Sequence, residues 1–313
     1  MASYAQVKHM NRRRRRPLRS LLVARFRREN QGDRAAPFVV AVGSAVVSRG
    51  IASFLLLPAP PRFSASAGMG HSLVLAEDGS VFSFGRSNYG RLGHGDDEKE
   101  EDEDGDMVIK GQLVPKRVEA LHVTGRRITQ VSVGAEHSLV LAEDGAVLSF
   151  GHGRGGQLGH GERQSRYTPT VIASLVAAGR RIAQVSAGNN HSLVLAEDGA
   201  VLSFGYGGSG MLGHGDEQHR STPTVIASLV AAGRRIAQVS AGDRHSLVLA
   251  EDGAVLSFGS GGYGQLGHGD EKSMLIPTPI ASLLGLRVNH VSAGSNHSLV
   301  SRECGVCRRL VRS

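Results

Sequence analysis

The stretch His-Ser-Leu-Val-Leu-Ala-Glu-Asp-Gly occurs four times in this chain, at His71–Gly79, His137–Gly145, His191–Gly199 and His245–Gly253. A fifth copy begins at His297 and stops after Val300. The steps between successive histidines are 66, 54, 54 and 52 residues. Self-similarity at a period of this size indicates a repeat architecture, so the structure of one unit decides the fold.

The unit at residues 168–221 contains two short apolar runs, Leu193–Ala196 and Val201–Phe204, on either side of Glu197-Asp198-Gly199. Asp-Gly between two such runs predicts a β-hairpin, because glycine tolerates the positive φ that the turn requires. The runs show little alternation of apolar and polar residues, which is typical of strands buried on both faces. A hairpin that is stacked between two other sheets would be buried in this way.

The half of the unit that precedes the hairpin, residues 171–187, is ambiguous. Ile172 and Leu175 fit one face of a helix, and alanine-rich sequence favours helix. The Thr168-Pro169-Thr170 stretch and Gly179 favour strands instead. We predict two further strands here, and four short strands per unit are typical of a propeller blade.

Further positions recur around the hairpin, namely Val185-Ser186-Ala187-Gly188, His191-Ser192-Leu193, Gly199, Phe204-Gly205 and Gly210-x-Leu212-Gly213-x-Gly215. In these positions the chain resembles the regulator-of-chromosome-condensation (RCC) repeat, over roughly residues 51–300. The resemblance implies an all-β fold, a β-propeller of RCC-type repeats with four complete blades and a partial fifth. This number of blades is smaller than the seven that form the family's closed ring. One departure is uniform: the family usually has tryptophan before the glycine of Phe204-Gly205, and this chain has no tryptophan and carries phenylalanine at 84, 150, 204 and 258.

Charge and the limits of the repeat divide the chain into three parts. Residues 1–50 form a basic N-terminal segment, residues 51–300 form the repeat domain, and residues 301–313 form a divergent C-terminal tail. The net charge of the chain is +8, yet residues 1–34 hold 11 Lys or Arg against 2 acidic residues. The rest of the chain therefore carries a net charge of about −1, so the basic character belongs to the N-terminal segment.

The basic segment contains five consecutive arginines, Arg12–Arg16. A disordered tail, a nucleic-acid-binding or nuclear-import arm, and an organelle transit peptide all fit this composition. The apolar stretch at residues 38–57 is interrupted by Arg49 and two glycines, so we expect no membrane association. We expect cytoplasmic or nuclear localisation, and organelle targeting stays open.

An acidic segment interrupts the first unit at residues 96–106, where nine of the eleven residues are Asp or Glu. It accounts for most of the longer first step of the repeat. Like charges at this density repel one another, which predicts a disordered loop on one rim of the propeller. A basic partner, or the chain's own arginine-rich segment, would dock on such a loop.

Patterns that suggest catalysis or cofactor binding recur in every unit, and this recurrence argues against them. Gly151-x-Gly153-x-x-Gly156 matches a dinucleotide fingerprint, but no helical sequence follows, and equivalent glycines stand at 205–210 and 259–264. The histidine that opens each hairpin is expected to tie its strand to a neighbouring loop. Cys304 and Cys307 have no second cysteine pair with which to form a zinc site. We therefore predict no enzyme activity, no cofactor and no metal site.

The loop tips differ from unit to unit while the framework stays constant, as a binding surface requires. Tyrosine and arginine often anchor interfaces, so we predict that the partner-binding residues are Arg86, Tyr89, Arg154, Tyr206, Arg244 and Tyr263. The prediction is a non-enzymatic protein-interaction module that binds a protein partner on its loop rim. Open blade edges, which carry unpaired strand backbone, predict self-association as well.

Two alternatives come from the resemblance. The family's founding member is a guanine nucleotide exchange factor for a nuclear small GTPase and binds chromatin, and a basic arm would suit chromatin. The same propeller also occurs within larger proteins such as ubiquitin ligases, of which this chain would be a fragment. The ultraviolet-photoreceptor branch of the family uses tryptophan clusters and is disfavoured, because this chain has no tryptophan.

We predict that Arg12, Arg13, Arg14, Arg15 and Arg16 bind nucleic acid weakly and without sequence preference. Neutralising phosphates releases counterions, so the affinity should fall steeply between ~50 and ~200 mM salt. Fluorescence anisotropy with a labelled random duplex measures this dependence. Deleting residues 1–34 should abolish the binding, and an affinity that ignores salt would contradict the prediction.

Overall fold

The chain is built from antiparallel four-stranded sheets. The computed structural model describes residues 64–95, 99–101, 107–109 and 111–302. Within these ranges there are four four-stranded sheets, a two-stranded sheet in the fifth unit and a two-stranded insertion in the first unit. Each four-stranded sheet is a propeller blade, which confirms the predicted fold class of four complete blades and a partial fifth.

The blades share one strand order. The first contains β1 (Ser64–Ala67), β2 (His71–Leu75), β3 (Val81–Gly85) and β6 (Gln112–Arg117), with the inserted pair β4 (Lys99–Glu101) and β5 (Met107–Ile109). The second contains β7 (Ile128–Val133), β8 (His137–Ala142), β9 (Val147–Gly151) and β10 (Arg166–Val171). The third contains β11 (Ile182–Ala187), β12 (His191–Ala196), β13 (Val201–Gly205) and β14 (Arg220–Val225). The fourth contains β15 (Ile236–Ala241), β16 (His245–Ala250), β17 (Val255–Gly259) and β18 (Met274–Pro279), and the partial fifth contains β19 (Val288–Ala293) and β20 (Ser298–Arg302).

The predicted hairpin is present in every complete blade. In the third blade β12 pairs with β13, and Leu193 lies opposite Ser203. Gly199 closes the turn at φ 84°, and the Asp198 carboxylate accepts a hydrogen bond from the Ala200 amide at 3.0 Å. The Asp-Gly pair therefore stabilises the turn in two ways. The glycine adopts the left-handed backbone conformation, and the aspartate carboxylate accepts a hydrogen bond from the loop backbone.

The prediction of two strands over residues 171–187 is wrong in part. A short helix, α2 (Ala173–Ala177), lies between β10 and β11, and its counterparts are α1 (Glu119–Val123) and α3 (Ala227–Ala231). Ile172 and Leu175 are buried here, so the residues that fit a helical face do turn towards the core. The alanine-rich sequence supplies the helix propensity, and Gly179, at φ 63°, follows the helix end.

The sequence unit is also out of phase with the blade. The strand that ends at Val171 pairs with β9 and is the outer strand of the second blade, although it opens the sequence unit at residues 168–221. Pro169 suits this outer position, because a proline removes one amide donor and is tolerated on an edge strand. A blade therefore begins inside one sequence unit, as at Ile182, and ends at the beginning of the next, as at Val225.

The acidic segment and the end of the domain differ from expectation as well. Residues 99–101, which the sequence places in a disordered loop, pair antiparallel with residues 107–109. The strand-forming run Met107-Val108-Ile109 directly follows the acidic residues and supplies the partner strand. The other residues of the 96–106 segment lie outside the described part of the chain. At the far end, β20 continues to Arg302, two residues past residue 300.

The hydrophobic core lies between neighbouring blades. Leu139, Leu141 and Val147 of the second blade pack with the fully buried Phe204 of the third. Leu193, on the opposite face of the third blade, packs against the fourth. Both faces of the central strands are covered, which explains why their sequences do not alternate. Each fully buried apolar side chain contributes about 1.5–3 kcal/mol relative to an exposed one.

The histidine that opens each hairpin links its blade to the next. His191 Nε2 lies 2.9 Å from Ser246 Oγ in the fourth blade, and that hydroxyl donates to the Met211 backbone oxygen at 2.9 Å. Since the hydroxyl proton goes to the carbonyl, the histidine donates and the Nε2–H tautomer is fixed. The tie to a neighbouring loop thus runs through a serine of the adjacent blade. The same 2.9 Å contact recurs at His71–Ser138, His137–Ser192 and His245–Ser298.

A second set of bonds joins the first strands of neighbouring blades. Gln184 Oε1 accepts from the Val239 amide at 2.9 Å, and its Nε2 donates to the Val239 carbonyl at 3.1 Å. Ser186 Oγ accepts from the Ala241 amide at 2.9 Å. Side chains in this way satisfy backbone groups that no strand pairs with. The paired glutamine bonds recur at Gln130–Val185 and Gln238–Val291.

Burial holds the linking histidines neutral. Desolvation lowers the pKa of His71, His137 and His191 from 6.5 to about 3, and that of His245 to about 4. Between these values and pH 6.5 these histidine side chains bind protons in the unfolded chain but stay neutral in the folded chain. The free energy of unfolding must therefore fall as the pH falls through this window. The lowered pKa values of His160 and His214, also caused mainly by burial, act in the same direction.

We predict that, between about pH 6 and about pH 4.5, each linking histidine lowers stability by up to about 1.4 kcal/mol per pH unit of acidification. Urea unfolding at a series of pH values, followed by circular dichroism, measures the slope. A His191→Gln variant should be less stable at neutral pH and should show a slope shallower by about one proton. A slope identical to that of the parent chain would mean that this ring is not coupled to folding.

Candidate functional site

The loops at one end of the blades form the candidate site, here called the loop rim. In each blade it comprises the connection between the first and second strands and the longer connection between the third and fourth, which in the third blade are residues 188–190 and 206–219. The hairpin turns and the short helices lie at the opposite end. All six predicted partner contacts lie on the loop rim and are exposed: Arg86, Tyr89, Arg154, Tyr206, Arg244 and Tyr263.

The long loop begins at a position where only glycine fits. Gly205 ends β13 with φ 114°, and a Cβ atom there would lie 2.5 Å from the Asn190 backbone oxygen. The same close approach lets the Tyr206 amide donate to that oxygen at 2.8 Å. The two loops of one blade are joined in this way, so the side chain at position 206 starts from a fixed backbone.

The first and second blades meet in a cluster of aromatic and charged side chains. The ring centroids of Tyr89 and His152 are 4.8 Å apart, and the Arg91 guanidinium lies 5.8 Å from the Tyr89 centroid. Arg91 Nη2 donates to Glu136 Oε1 at 3.1 Å. Tyr89 has φ 62° and its counterpart Ser209 has φ 57°, a left-handed conformation that costs about 1–3 kcal/mol in a non-glycine residue. The loop tip is therefore held in one shape, and Tyr89 stays 38% exposed on it.

Arg91 is a residue that the sequence-based prediction missed. Its side chain is 5% exposed, while that of its partner Glu136 is 36% exposed. The equivalent positions in the other blades are Gln157, Met211 and Gln265, so one charged residue among uncharged ones was the available signal. A nearly buried guanidinium depends on its carboxylate, because an uncompensated buried charge is costly.

His152 completes the cluster, and its ring packs against that of Tyr89. Burial lowers its pKa, Arg154 and Arg91 act in the same direction, and Glu136 opposes them. Its Nδ1 atom lies 3.1 Å from Gln157 Nε2, which donates to it. The cluster is thus a charge-compensated patch that carries an exposed aromatic ring.

The third and fourth blades present tyrosines in more open surroundings. Tyr206 is 42% exposed, and its ring centroid lies 4.3 Å from that of His219. His219 Nδ1 accepts a hydrogen bond from the Gly207 amide at 3.1 Å, so the ring that supports Tyr206 is itself fixed. Tyr263 is 74% exposed, and its amide donates to Gln265 Oε1 at 2.8 Å. Exposed aromatic rings on an ordered backbone are suited to packing against a partner.

Three exposed arginines of the loop rim lack the carboxylate partner that other rim arginines have, since Arg166 pairs with Glu162 and Arg220 Nη2 lies 2.9 Å from Asp216 Oδ2. On the loop rim, Arg86, Arg154 and Arg244 form no salt bridge with any residue of the described ranges. At the opposite end the arginines pair with hairpin-turn carboxylates, each pair contributing about 0–1 kcal/mol at this exposure. These pairs are Arg126–Asp144 at 2.8 Å, Arg180–Asp198 at 2.8 Å and Arg234–Asp252 at 2.6 Å.

The glycine-flanked histidines have structural partners. His214 Nε2 lies 2.9 Å from Ser203 Oγ, which donates to the Leu212 backbone oxygen at 2.7 Å. After Gly151 the chain passes through a loop into β10, so no helix follows the dinucleotide-like glycines. Among the described residues, no three metal-ligating side chains cluster, and no helix is long and apolar enough to span a membrane. Equivalent histidine–serine contacts form at His94, His160 and His268.

Two sets of predicted residues lie outside the described ranges. They are the nucleic-acid-binding candidates Arg12–Arg16 and the cysteines Cys304 and Cys307. The predictions made for them therefore stay predictions.

Stacked four-stranded blades, joined by a repeated histidine–serine link and carrying variable loops at one end, define a β-propeller repeat protein. A family profile described as the RCC1-like domain matches residues 52–308. The chain belongs to the RCC1-like domain family. The resemblance seen in the repeat is thereby confirmed.

Two curated relatives show how widely this domain is used. The chain is 36% identical over 237 residues to the ultraviolet-B receptor UVR8 of Arabidopsis thaliana, which covers 75% of this chain and 50% of the receptor. It is 34% identical over 236 residues to the E3 ubiquitin-protein ligase HERC2 of Homo sapiens, which covers 75% of this chain and 4% of the ligase. The chain thus spans half of the receptor's length and a small part of the ligase's.

Solved structures agree on the fold. Prp20p of Saccharomyces cerevisiae matches with a TM-score of 0.64 and 22% identity, over 80% of this chain and 58% of that one. Human WBSCR16 matches with a TM-score of 0.64 and 20% identity, over 77% of this chain and 58% of that one. Structural similarity at 20–22% sequence identity establishes the fold of this chain, and it does not identify a binding partner.

We predict that Glu136→Gln lowers the free energy of unfolding by about 1–2 kcal/mol, because it leaves the Arg91 charge nearly buried without a carboxylate. Glu197→Gln is the matched control, since Glu197 pairs with Arg181 at 3.2 Å and both side chains are more than half exposed. The control should change stability by less than about 0.5 kcal/mol. Urea unfolding of both variants provides the comparison, and equal losses would refute a special role for Arg91.

Proposed function

We propose that this chain is a non-enzymatic protein-interaction module that binds a protein partner through the loop rim. The contrast between the two ends of the blades carries the proposal. Exposed tyrosines and uncompensated arginines differ from blade to blade on the loop rim, whereas the opposite end repeats the same paired charges. A surface that selects one partner requires such variation on a constant framework.

The chemistry of the loop rim favours a partner with both carboxylate and apolar groups. Arginine recognises a carboxylate through two parallel hydrogen bonds, and a tyrosine ring buries a large area while restricting only two side-chain torsions. Because Gly205 and the interblade bonds already fix the loop backbones, little conformational freedom remains to be lost on binding. Tyr206 and Tyr263 are the expected anchors, and Arg86, Arg154 and Arg244 are expected to orient the partner.

We also propose that the arginine-rich segment at residues 12–16 adds non-specific attraction to nucleic acid in a nuclear or cytoplasmic setting. Five adjacent guanidinium groups suit a polyphosphate backbone. The acidic segment at residues 96–106 carries the opposite charge and would compete with phosphates for the same arginines. Salt should weaken both interactions.

A guanine nucleotide exchange activity is the alternative that most needs testing. Prp20p, which shares the fold at 22% identity, has been described by its binding to Gsp1p and histones. No loop of this chain can be matched residue by residue to an exchange surface. Purified chain should therefore leave nucleotide release from a small GTPase unchanged. If the chain accelerates that release, and if replacing the rim tyrosines has no effect on it, the exchange activity replaces the present proposal.

We predict that replacing both Tyr206 and Tyr263 with alanine weakens partner binding at least about tenfold, which corresponds to about 1.4 kcal/mol. Affinity purification from a nuclear or cytoplasmic extract supplies the partner, and titration calorimetry with that purified partner measures the change. Both rings are more than 40% exposed, so the melting temperature should change little.

The matched control is His191→Ala, which removes a framework bond and no rim side chain. It should lower the melting temperature while the folded protein binds the partner with unchanged affinity. If the double tyrosine variant binds like the parent chain, the partner does not use the loop rim and the proposed site is wrong.

A further inference from the structure

The junction between the fourth blade and the partial fifth unit has a shorter connection than the junction before it. Ile280 and Val288 are 8 residues apart, whereas Ile226 and Ile236, at the equivalent places, are 10 residues apart. The short helix of the other junctions is reduced here to a 3₁₀ turn, Ala281–Leu283. A loop of different length therefore follows the turn and lies beside the fourth blade.

The shorter loop does not form a bond that closes the other junctions. The Ile236 amide donates to the oxygen of Gly199, in the hairpin turn of the third blade, at 3.3 Å. Val288, the equivalent of Ile236, donates instead to the Leu286 oxygen of its own loop at 3.0 Å. No described residue donates to the Gly253 oxygen, so this carbonyl lacks the backbone amide that Gly199 has. The same closing bond joins Ile182 to Gly145 at 3.2 Å.

A cavity of about 470 Å³ takes the place of that contact. It lies between the hairpin turn of the fourth blade, residues 251–254, and the shortened loop, residues 284–288. A Cβ atom at Gly199 would lie 3.3 Å from Arg235 Cα, whereas at Gly253 the nearest atom would be the Leu286 oxygen at 3.6 Å. The cavity is within the size range of ligand pockets, ~300–1,000 Å³.

Arg287 brings an uncompensated positive charge to this cavity. The arginines at the equivalent positions pair with hairpin-turn carboxylates, Arg181 with Glu197 at 3.2 Å and Arg235 with Glu251 at 3.2 Å. Arg287 is exposed and forms no salt bridge or hydrogen bond with any residue that the structure describes. A guanidinium group with all its donors available suits a carboxylate.

Two leucines make the same loop apolar. Leu284 is 57% exposed and Leu286 is 38% exposed, and both line the cavity. Leu286 stands at the place of Arg180 and Arg234, which form salt bridges at the other junctions. This junction therefore combines an apolar surface with a free guanidinium group, a combination that suits a partner with both kinds of group.

We propose that the cavity binds an extended peptide segment of another protein, in which an acidic side chain stands beside an aliphatic one. The carboxylate pairs with Arg287, the aliphatic side chain packs on Leu284 and Leu286, and a backbone amide donates to the Gly253 oxygen. A peptide is favoured over other carboxylates because the donor missing at Gly253 is a backbone amide. The cavity lies at the hairpin end of the blades, so the proposal does not depend on the loop rim.

Selection of displayed random heptapeptides on the full-length chain tests the proposal. The enriched peptides should contain Asp or Glu next to Leu, Ile, Val or Met. A synthetic peptide from this set should bind the Arg287→Gln variant at least about tenfold more weakly than the parent chain, in fluorescence anisotropy. Arg181→Gln removes the equivalent arginine from a closed junction, and it should leave the peptide's affinity unchanged.

The amide form of the same peptide isolates the ion pair. Replacing its acidic residue with Asn or Gln should weaken binding to the parent chain and should have little further effect on binding to Arg287→Gln. The melting temperature of Arg287→Gln should equal that of the parent chain. A clear loss of stability would mean that Arg287 already pairs with a carboxylate of its own chain, and it would overturn the proposal.

Lengthening the loop provides a test from the opposite direction. Replacing residues 284–286 with Val-Ala-Ala-Gly-Arg, the sequence of residues 230–234, restores the length of the other junctions. The variant should regain the amide bond to Gly253, melt at a higher temperature and lose the peptide. Peptide binding that survives the longer loop would overturn the proposal, as would a selection that enriches no acidic peptide. Peptides that lose affinity on replacement of Tyr206 and Tyr263, but not with Arg287→Gln, would belong to the loop rim and would overturn it too.

Discussion

The contact between one blade and the next is the constraint on which the rest of the structure depends. The imidazole of each linking histidine reaches across to a serine of the following blade, and in three of the four cases the glycine three residues earlier leaves room for the ring. A Cβ atom at Gly188 would lie 2.5 Å from His191 Cε1, and the corresponding distances are 2.6 Å for Gly134 to His137 and 2.8 Å for Gly242 to His245. The recurrence of Gly-x-x-His-Ser is therefore a steric requirement of the link, and it needs no catalytic explanation.

The contacts between blades do not restrict which side chains stand at the loop tips. The bonds that hold a loop in place come from backbone atoms, glycines and the linking serines, as the bonds at Gly205 and Ser246 show. Side chains at positions such as 206 and 263 can change without disturbing them. In two pairs of blades a side-chain contact also joins neighbouring rim loops: Arg91 pairs with Glu136, and Asn189 donates to Asp243. The loop rim is consequently variable in chemistry and uniform in backbone shape.

Much of the fold could be read from the sequence, because its determinants are local and repeated. The Asp-Gly turns, the doubly buried strands and the opening histidines follow from short spacings that occur four times. The short helix at Ala173–Ala177 was harder to foresee, because a single helical turn and a strand share the same few apolar residues. The phase of the blade was misplaced for a different reason. The outer strand pairs with sequence that precedes it, and only the register of β10 on β9 shows this.

The candidate site was predictable in position and less so in content. The variable tips could be found by comparing units, and all six side chains chosen in that way are exposed on one end of the blades. Arg91 was not predicted as a site residue, because its salt-bridge partner Glu136 lies 45 residues away in the neighbouring blade. Neither the identity of the partner nor the order in which the rim residues meet it is encoded in spacing, since both depend on a second surface. Sequence reasoning is strongest here where one chain supplies both sides of a contact.

The near identity of the third and fourth units has a genetic consequence. Leu193 and Val201 face the fourth blade as Leu139 and Val147 face the third, and Phe204 and Phe258 fill the same position in turn. A misaligned exchange between two copies of the gene that removed or added one 54-residue step would join surfaces that already match. Such an event would leave no exposed core residue and no broken link for selection against misfolding to detect. The number of blades can therefore change by a whole unit without creating an unmatched interface.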